Sequence, residues 1–524
     1  MKELVWHRQL LPAVERYAGR PFLTDGGSGV TTTYGEHGAR VLRLAAALRT
    51  ELGVQPADRV AVLALNSARY EELYHASLLG SCVINPLNLR FAPRELVHVL
   101  SDSATRVVFV DPLFAPLIDS VREAAGIECV VLMGDPGEGA DVPHDASYEA
   151  LLAAGQERVP PEPEEDSPAM LMYTGGTTGL PKGVLLDQRG VVLTQYHISM
   201  VFSAQPTDVY LAQVPMFHAA SMGAIVSTPV SGGRLVLVPA FEPERVLQAV
   251  QEHGVSNTMM VPTMIAMTFA HPSYAPERLA SLTHLTYGAS PMPRPVLDRL
   301  RADLPQLRLF QGYGMTESAA LVSRLSPEDH DRDDHVLASA GRPVPGVTVT
   351  VQDEDGTVLP VGQTGEVCVR GGNLMREYWR RPEETAQAFR GGWYHSGDAG
   401  YLDAEGYLYL VDRVKDMIVS GGENVYSTEV EQAVAAHPAV AQVAVIGIPD
   451  DVWGEAVHAV VVLRPGAQAT EQELVEHSRG LIAGYKVPKS VEFRTEPLPL
   501  SGAMKVLKRE LRAPYWTGHD RAVG

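Results

Sequence analysis

The chain has 524 residues, 45% hydrophobic and 20% charged, more apolar material than one core usually holds, so two or more domains are expected. Its 63 acidic residues against 43 basic ones leave a formal charge of −20, which opposes binding to nucleic acid or an anionic membrane surface, and no basic cluster offsets it locally. Cys82, Cys129 and Cys368 are odd in number and widely spaced among apolar residues, which excludes a disulfide framework or a zinc site and reads as core thiols of a reducing cytoplasm. The N-terminal MKELVWHRQLLPAVERYAGRP lacks the apolar core and cleavage site of a signal peptide, and no apolar run reaches membrane-spanning length.

From Thr33 onward, amphipathic stretches alternate with short β-branched runs. The pattern predicts a helix over Gly38 to Leu52, closed by Gly53, then strands over Arg59 to Leu65, at Val83 and Ile84, over Arg106 to Val110 and over Val130 to Leu132, with a helix at Ala92 to Leu100. This is the β/α rhythm of a parallel sheet covered on both faces, hence a doubly wound α/β fold. Gln156 to Ser167, QERVPPEPEEDS, is proline-rich and acidic and marks an exposed connection. The rhythm resumes with strands at Val209 to Val214, Leu235 to Val238 and Leu307 to Phe310, and with helices at Pro243 to His253 and Pro295 to Leu304 opened by proline. Beyond Val344 strands dominate, as in VTVTVQDEDG and GEVCVRG, which suggests a smaller β-rich subdomain. From Thr428 a compact α+β pattern of roughly a hundred residues suits an independent module.

The chemistry concentrates in YTGGTTGLPKGV, Tyr173 to Val184. Glycines Gly175, Gly176 and Gly179 allow backbone N–H groups close to a polyphosphate, Thr174, Thr177 and Thr178 add hydroxyls, and Lys182 supplies a compact charge. The lysine precedes its glycine, so this is not a Walker A loop. Gln311, Gly312, Tyr313, Gly314, Thr316 and Glu317, in QGYGMTES, follow a predicted strand at the carboxyl edge of the sheet, where ligands of such folds bind.

With these motifs in order, the chain resembles the adenylate-forming enzymes, the superfamily of acyl-CoA synthetases, luciferases and peptide-synthetase adenylation domains. It departs from the family pattern at Gly175, where serine is usual, and at Met504, where glycine is usual. The resemblance implies a large N-terminal AMP-binding domain (1–412) of doubly wound α/β subdomains plus the β-rich subdomain, a hinge (413–416), and a small mobile α+β domain (417–524). By resemblance Tyr313 stacks on adenine, Thr316 lies near the α-phosphate, and Thr174 and Glu317 hold Mg²⁺. Gly288, Ala289, Ser290 and Pro291, in YGASP, form the adenine-binding turn. Asp398 and Arg413 reach the ribose. Lys415 is the pivot, Gly421 and Gly422 later line a pantetheine tunnel, and Lys505 is the adenylation lysine. His218, in PMFH, lines the route between acid and nucleotide, and the small residues Ala219, Ala220 and Ala319 leave room for a large apolar acid.

INPLNLRFAPREL, MREYWRRPEET and KDMIVSGGENVYSTEVE are closest to the fatty-acyl and aryl CoA ligases. The resemblance therefore implies a ligase that uses ATP to make an acyl adenylate and then coenzyme A to make a thioester. The rivals are an enzyme confined to the second half-reaction, an adenylation enzyme that loads a carrier protein, and a non-catalytic nucleotide-binding scaffold, which the presence of Lys182, Glu317, Asp398, Arg413 and Lys505 disfavours. A homodimer is the default expectation for a soluble enzyme.

Overall fold

The computed structural model describes residues 3–26, 29–135, 142–174, 180–202, 204–290, 292–332, 335–413, 416–420, 423–450, 453–502 and 504–517. Within them, one sheet is built on Arg59–Leu63, with Val83–Pro86 and Val107–Val110 parallel on either side, Pro168–Thr174 joined in parallel through Val83–Pro86, and Cys129–Leu132 and then the short Ala146–Ser147 joined in parallel beyond Val107–Val110. The strand residues Val60, Val62, Val108 and Phe109 are fully buried, as expected of continuous apolar strands covered on both faces. Lys182–Asp187 returns antiparallel along Pro168–Thr174.

A second sheet aligns Arg308–Tyr313, His284–Gly288, Asn257–Met260, Val209–Ala212, Arg234–Leu237 and Pro21–Asp25 in parallel. The strand predicted to end at Phe310 runs on to Tyr313, so the first residues of QGYGMTES are themselves strand. Pro21–Asp25 pairs with Arg234–Leu237 and thereby ties the N-terminus into the second sheet, a long-range pairing with no local signal. A helix His7–Tyr17 precedes the first predicted one, which begins at Tyr34 and so earlier than the expected Gly38. Thr33 and Glu36 form a reciprocal capping box, Thr33 Oγ1 accepting from the Glu36 N–H at 3.2 Å and the Glu36 carboxylate from the Thr33 N–H at 2.7 Å.

The β-rich subdomain is an antiparallel sheet of Val347–Gln352, Gly365–Gly371, Tyr394–Leu402 and Leu408–Arg413. One contiguous apolar cluster joins the three sheets, from Val60 and Ile84 through Val191 and Ile225 to Phe310, Val349 and Val367. The C-terminal module has a separate core of Ile418, Val425, Val430, Val445, Val457 and Leu474 beneath the long hairpin Val440–Asp450 and Gly454–Leu463. The proline-rich connection carries no helix or strand, and Glu165 within it accepts the backbone N–H groups of Glu3 and Leu4 at 3.0 and 3.3 Å. All three cysteines are free. Cys82 and Cys368 are buried as expected, whereas Cys129 opens a strand near the sheet edge and is partly exposed. No helix among the described residues is long and apolar enough to cross a membrane.

Candidate active site

A cavity of about 1500 Å³ opens at the carboxyl edges of both large sheets and is roofed by the C-terminal module. Thr174 ends one strand and Lys182 begins the next, the two sitting opposite each other in antiparallel register. Both line the cavity. Gly175, Gly176, Thr177, Thr178 and Gly179 lie outside the described residues, as do Pro291, Lys415, Gly421 and Gly422.

Across the cavity, Gly288 and Gly312 are register partners at the ends of adjacent parallel strands. A Cβ on Gly288 would stand 2.2 Å from the Gly312 carbonyl oxygen, and one on Gly314 would stand 1.9 Å from the Ala320 oxygen, so both positions need glycine for backbone approach. Ala289, Gly312, Gly314, Thr316 and Glu317 line the cavity, while Gln311 and Ser290 are half-buried beside it. A 3₁₀ turn over Thr316–Ser318 presents Glu317. Ala319 takes φ +48° directly after that turn, is fully buried, and packs in the core. Ala320, with φ +102°, and not Ala319 faces the cavity.

Tyr313 is buried, and its hydroxyl donates to Asp398 Oδ2 at 2.6 Å. Asp398 pairs in strand register with Arg413. Gly397, with φ +71°, turns the chain toward the cavity, and its N–H donates to Glu366 Oε1 at 3.1 Å. The same glutamate holds His395 Nδ1 at 2.8 Å, and Cys368 Sγ lies 3.4 Å from that nitrogen, so three side chains from two strands fix the strand segment that carries Asp398.

His218 accepts the Ala220 N–H on Nδ1 at 3.2 Å, which leaves the ring proton on Nε2. Burial, and secondarily the charge of Lys505, lowers its pKa to about 3, so the ring is neutral near pH 7. Lys505 reaches the same cavity from the C-terminal module. Its turn is closed by the Ser501 N–H donating to the Lys505 carbonyl at 2.7 Å and by the Lys505 N–H donating to Ser501 Oγ at 3.1 Å. The turn docks on the large domain: Arg90 donates to the Leu500 carbonyl, and a Cβ on Gly502 would meet Asn88 Oδ1 at 2.5 Å and Phe217 Cζ at 2.9 Å. Met504 adopts φ +61° and packs against the second sheet's core, alongside Ala220 and Ala289.

Three further wall residues carry no motif signal of their own. Tyr378 donates its hydroxyl to Glu317 Oε1 at 3.0 Å. Tyr394 lies beside that pair, and burial followed by the Glu317 charge raises its phenol pKa far above the ordinary value. Glu384 accepts from Lys182, whose ammonium also sits 5.7 Å from the Tyr378 ring centroid. The hydrogen bond from Lys182 is the main cause holding the Glu384 carboxyl below its usual pKa. Tyr378 and Glu384 fall inside the MREYWRRPEET run, whose resemblance marks the branch but not these roles.

The family model described as AMP-binding enzyme matches residues 11–379, and that described as AMP-binding enzyme C-terminal domain matches residues 429–505. Feruloyl-CoA synthase from Amycolatopsis sp is 39% identical over 488 residues, covering 93% of this chain and 94% of that protein. Long-chain-fatty-acid–CoA ligase FadD13 of Mycobacterium tuberculosis is 35% identical over 487 residues, covering 93% of each. The crystal structure of ATP-bound MatB from Rhodopseudomonas palustris has a TM-score of 0.89 at 29% identity and covers 99% of this chain and 100% of that one. Matched over most of its length by both the large-domain and the C-terminal-domain models, this chain belongs to the AMP-binding enzyme family.

Proposed function

We propose that the chain is an AMP-forming acid:CoA ligase that activates a carboxylic acid with ATP and passes the acyl group to coenzyme A. The observation that carries this reading is the convergence of Thr174, Lys182 and Glu317 of the large domain with Lys505 of the small one on a single cavity.

A carboxylate is a poor electrophile because its oxygen leaves badly. In the first step a carboxylate oxygen attacks the α-phosphorus, the bond to the bridging oxygen breaks, and pyrophosphate departs. Lys182 and Lys505 stabilise the charge shifting onto the phosphate oxygens, and the neutral His218 lines the path between the two reactants without taking a proton. Asp398 accepts from the ribose hydroxyls, and Gly288, Gly312 and Gly314 let the strand ends approach the adenine. In the second step a thiolate attacks the acyl carbon, the carbon–oxygen bond to AMP breaks, and thioester and AMP leave. Rotation of the small domain about 413–416 withdraws Lys505 between the steps, so one cavity serves two transition states.

Glu317 offers a carboxylate held by Tyr378, and Thr174 a hydroxyl, on the same wall. Hard oxygen donors with one carboxylate fit Mg²⁺, which otherwise takes phosphate oxygens and water. When bound, Mg²⁺ supplies neutralisation of the phosphate charge. The cavity's size and its Met222, Met259, Phe202 and Leu321 side chains support a large, mostly apolar acid. The free cysteines support a reducing, cytoplasmic setting.

The test is mass spectrometry of adenylate and thioester after incubation with Mg-ATP, coenzyme A and a panel of fatty, aryl and polycyclic acids. A CoA thioester with stoichiometric AMP is expected. Adenylate that transfers only to a carrier protein, or thioester made only from supplied adenylate, would replace this reading with the corresponding rival.

A further inference from the structure

The acyl end of the cavity holds polar groups that neither half-reaction uses. Tyr210 and Asn257 are register partners on adjacent parallel strands, Val209–Ala212 and Asn257–Met260, so their side chains leave the same face of the sheet side by side. Tyr210 and Gly223 line the main cavity and also a second chamber of about 20 Å³, to which Asn257 contributes wall. That volume suits one water molecule or one oxygen-bearing substituent.

Asn257 is 6% exposed, and its side chain makes no hydrogen bond with any described residue. The Tyr210 hydroxyl also has no hydrogen-bond partner among them. It stands over Gly223, where a Cβ would come within 2.9 Å of it. Burial raises the phenol's pKa far above its ordinary value, so it remains a donor throughout the physiological range. The other hydroxyls around the chamber are engaged. Ser227 pairs with Ser199 at 2.9 Å, Thr228 donates to the Gly223 carbonyl at 3.2 Å, and Ser231 to the Thr228 carbonyl at 3.0 Å. Two polar side chains side by side on the wall of a mostly apolar pocket, open to it and without a partner among the described residues, are the arrangement a ligand oxygen would complete.

We propose that Tyr210 and Asn257 form the distal end of the acyl site and select carboxylic acids that bear a hydroxyl, ether or carbonyl oxygen at the end remote from the carboxylate, over acids ending in a methyl group or a bare ring. The tyrosine donates to that oxygen, and the asparagine amide donates or accepts. Gly223 is required because any side chain there displaces the phenol. This inference rests on the ligase reading for the orientation of the acid.

The experiment uses the full-length chain and matched acids that differ by one terminal hydroxyl: cinnamate against 4-hydroxycinnamate, 3-phenylpropanoate against its 4-hydroxy derivative, and octanoate against 8-hydroxyoctanoate. Affinity is read by calorimetry in the presence of AMP, and kcat/KM by thioester formation. In at least one pair the hydroxylated acid is expected to bind about tenfold tighter or more. That ratio is expected to fall toward one in Tyr210→Phe and in Asn257→Leu. Equal or weaker binding of the hydroxylated acid in every pair by the unsubstituted protein, or a preference that survives both substitutions, overturns the proposal. Thioester formation without distal preference would overturn it while leaving the ligase reading intact. A distal preference in binding without any thioester would support it and count against the ligase reading.

Discussion

The phenol of Tyr313 donates to the carboxylate of Asp398 at 2.6 Å, joining the end of a parallel strand on the nucleotide wall to an inner strand of the β-rich subdomain. Both residues are buried, so the bond is charge-assisted and shielded from water. Tyr313 therefore positions the group proposed for the ribose. Tyr313→Phe keeps the ring and removes the donor, at a cost of about 1.5–3 kcal/mol. The KM for ATP in ATP–pyrophosphate exchange is expected to rise about tenfold or more, with a smaller change in kcat. An unchanged KM would separate this bond from nucleotide binding.

Lys182 is held by Glu384 before any nucleotide arrives. The side chains are 34% and 35% exposed, a setting in which an ion pair contributes about 1 kcal/mol or less. A polyphosphate carrying several charges outcompetes that carboxylate, yet must still displace it. Glu384→Gln is expected to lower the KM for ATP about two- to fivefold, an effect that shrinks as salt is raised. A rise in KM would mean that Glu384 orients the lysine and does not compete for it.

His218 gives a pH dependence with a definite sign. Its folded pKa, about 3, lies below the ordinary value of 6.5, so between those limits the unfolded chain binds more protons. Its contribution to stability is fully present above pH 6.5 and is lost as pH falls toward 3. His218→Gln is expected to flatten the acid limb of stability between pH 6 and 4, by up to about 1.4 kcal/mol per pH unit, in urea denaturation. An identical acid limb in both proteins would show that the ring does not stay neutral on folding.

Met504 occupies a left-handed conformation, φ +61°, where a non-glycine residue carries about 1–2 kcal/mol of strain. Its side chain offsets this by packing on the large domain's core, against which Ala220 and Ala289 also pack. Met504→Gly is expected to leave unfolding free energy within about 1 kcal/mol of the parent while slowing adenylation several-fold more than thioester formation, because the docked turn loses its apolar contact. Equal effects on both half-reactions would remove Met504 from the docking surface.

Much of this was legible because the informative segments are locally determined. Runs such as RVAVL and VVFV are buried on both faces and must read as continuous apolar strands, and the C-terminal hairpin carries its own core. Pairing between Pro21–Asp25 and Arg234–Leu237 was not legible, since five residues cannot disclose a partner so distant in the chain. Nor were Tyr378, Glu384 and Tyr394, which reach the cavity from an edge strand, a short helix and the start of the strand Tyr394–Leu402. The exchange of Ala320 for Ala319 on the wall depends on two successive positive φ angles that spacing does not reveal. Motif order identified the nucleotide wall, whereas Tyr210 and Asn257 surfaced only through strand register.

The central claim, that one cavity serves two reactions and Lys505 acts in only the first, is tested most directly by Lys505→Ala assayed in both half-reactions. ATP–pyrophosphate exchange with a competent acid is expected to fall at least about a hundredfold, the loss of one electrostatic stabiliser in the transition state. Thioester formation from the supplied acyl adenylate and coenzyme A is expected to stay within about threefold of the parent, because the lysine has left the cavity when the thiol attacks. Equal loss in both assays, with the variant folded by circular dichroism, would contradict the account.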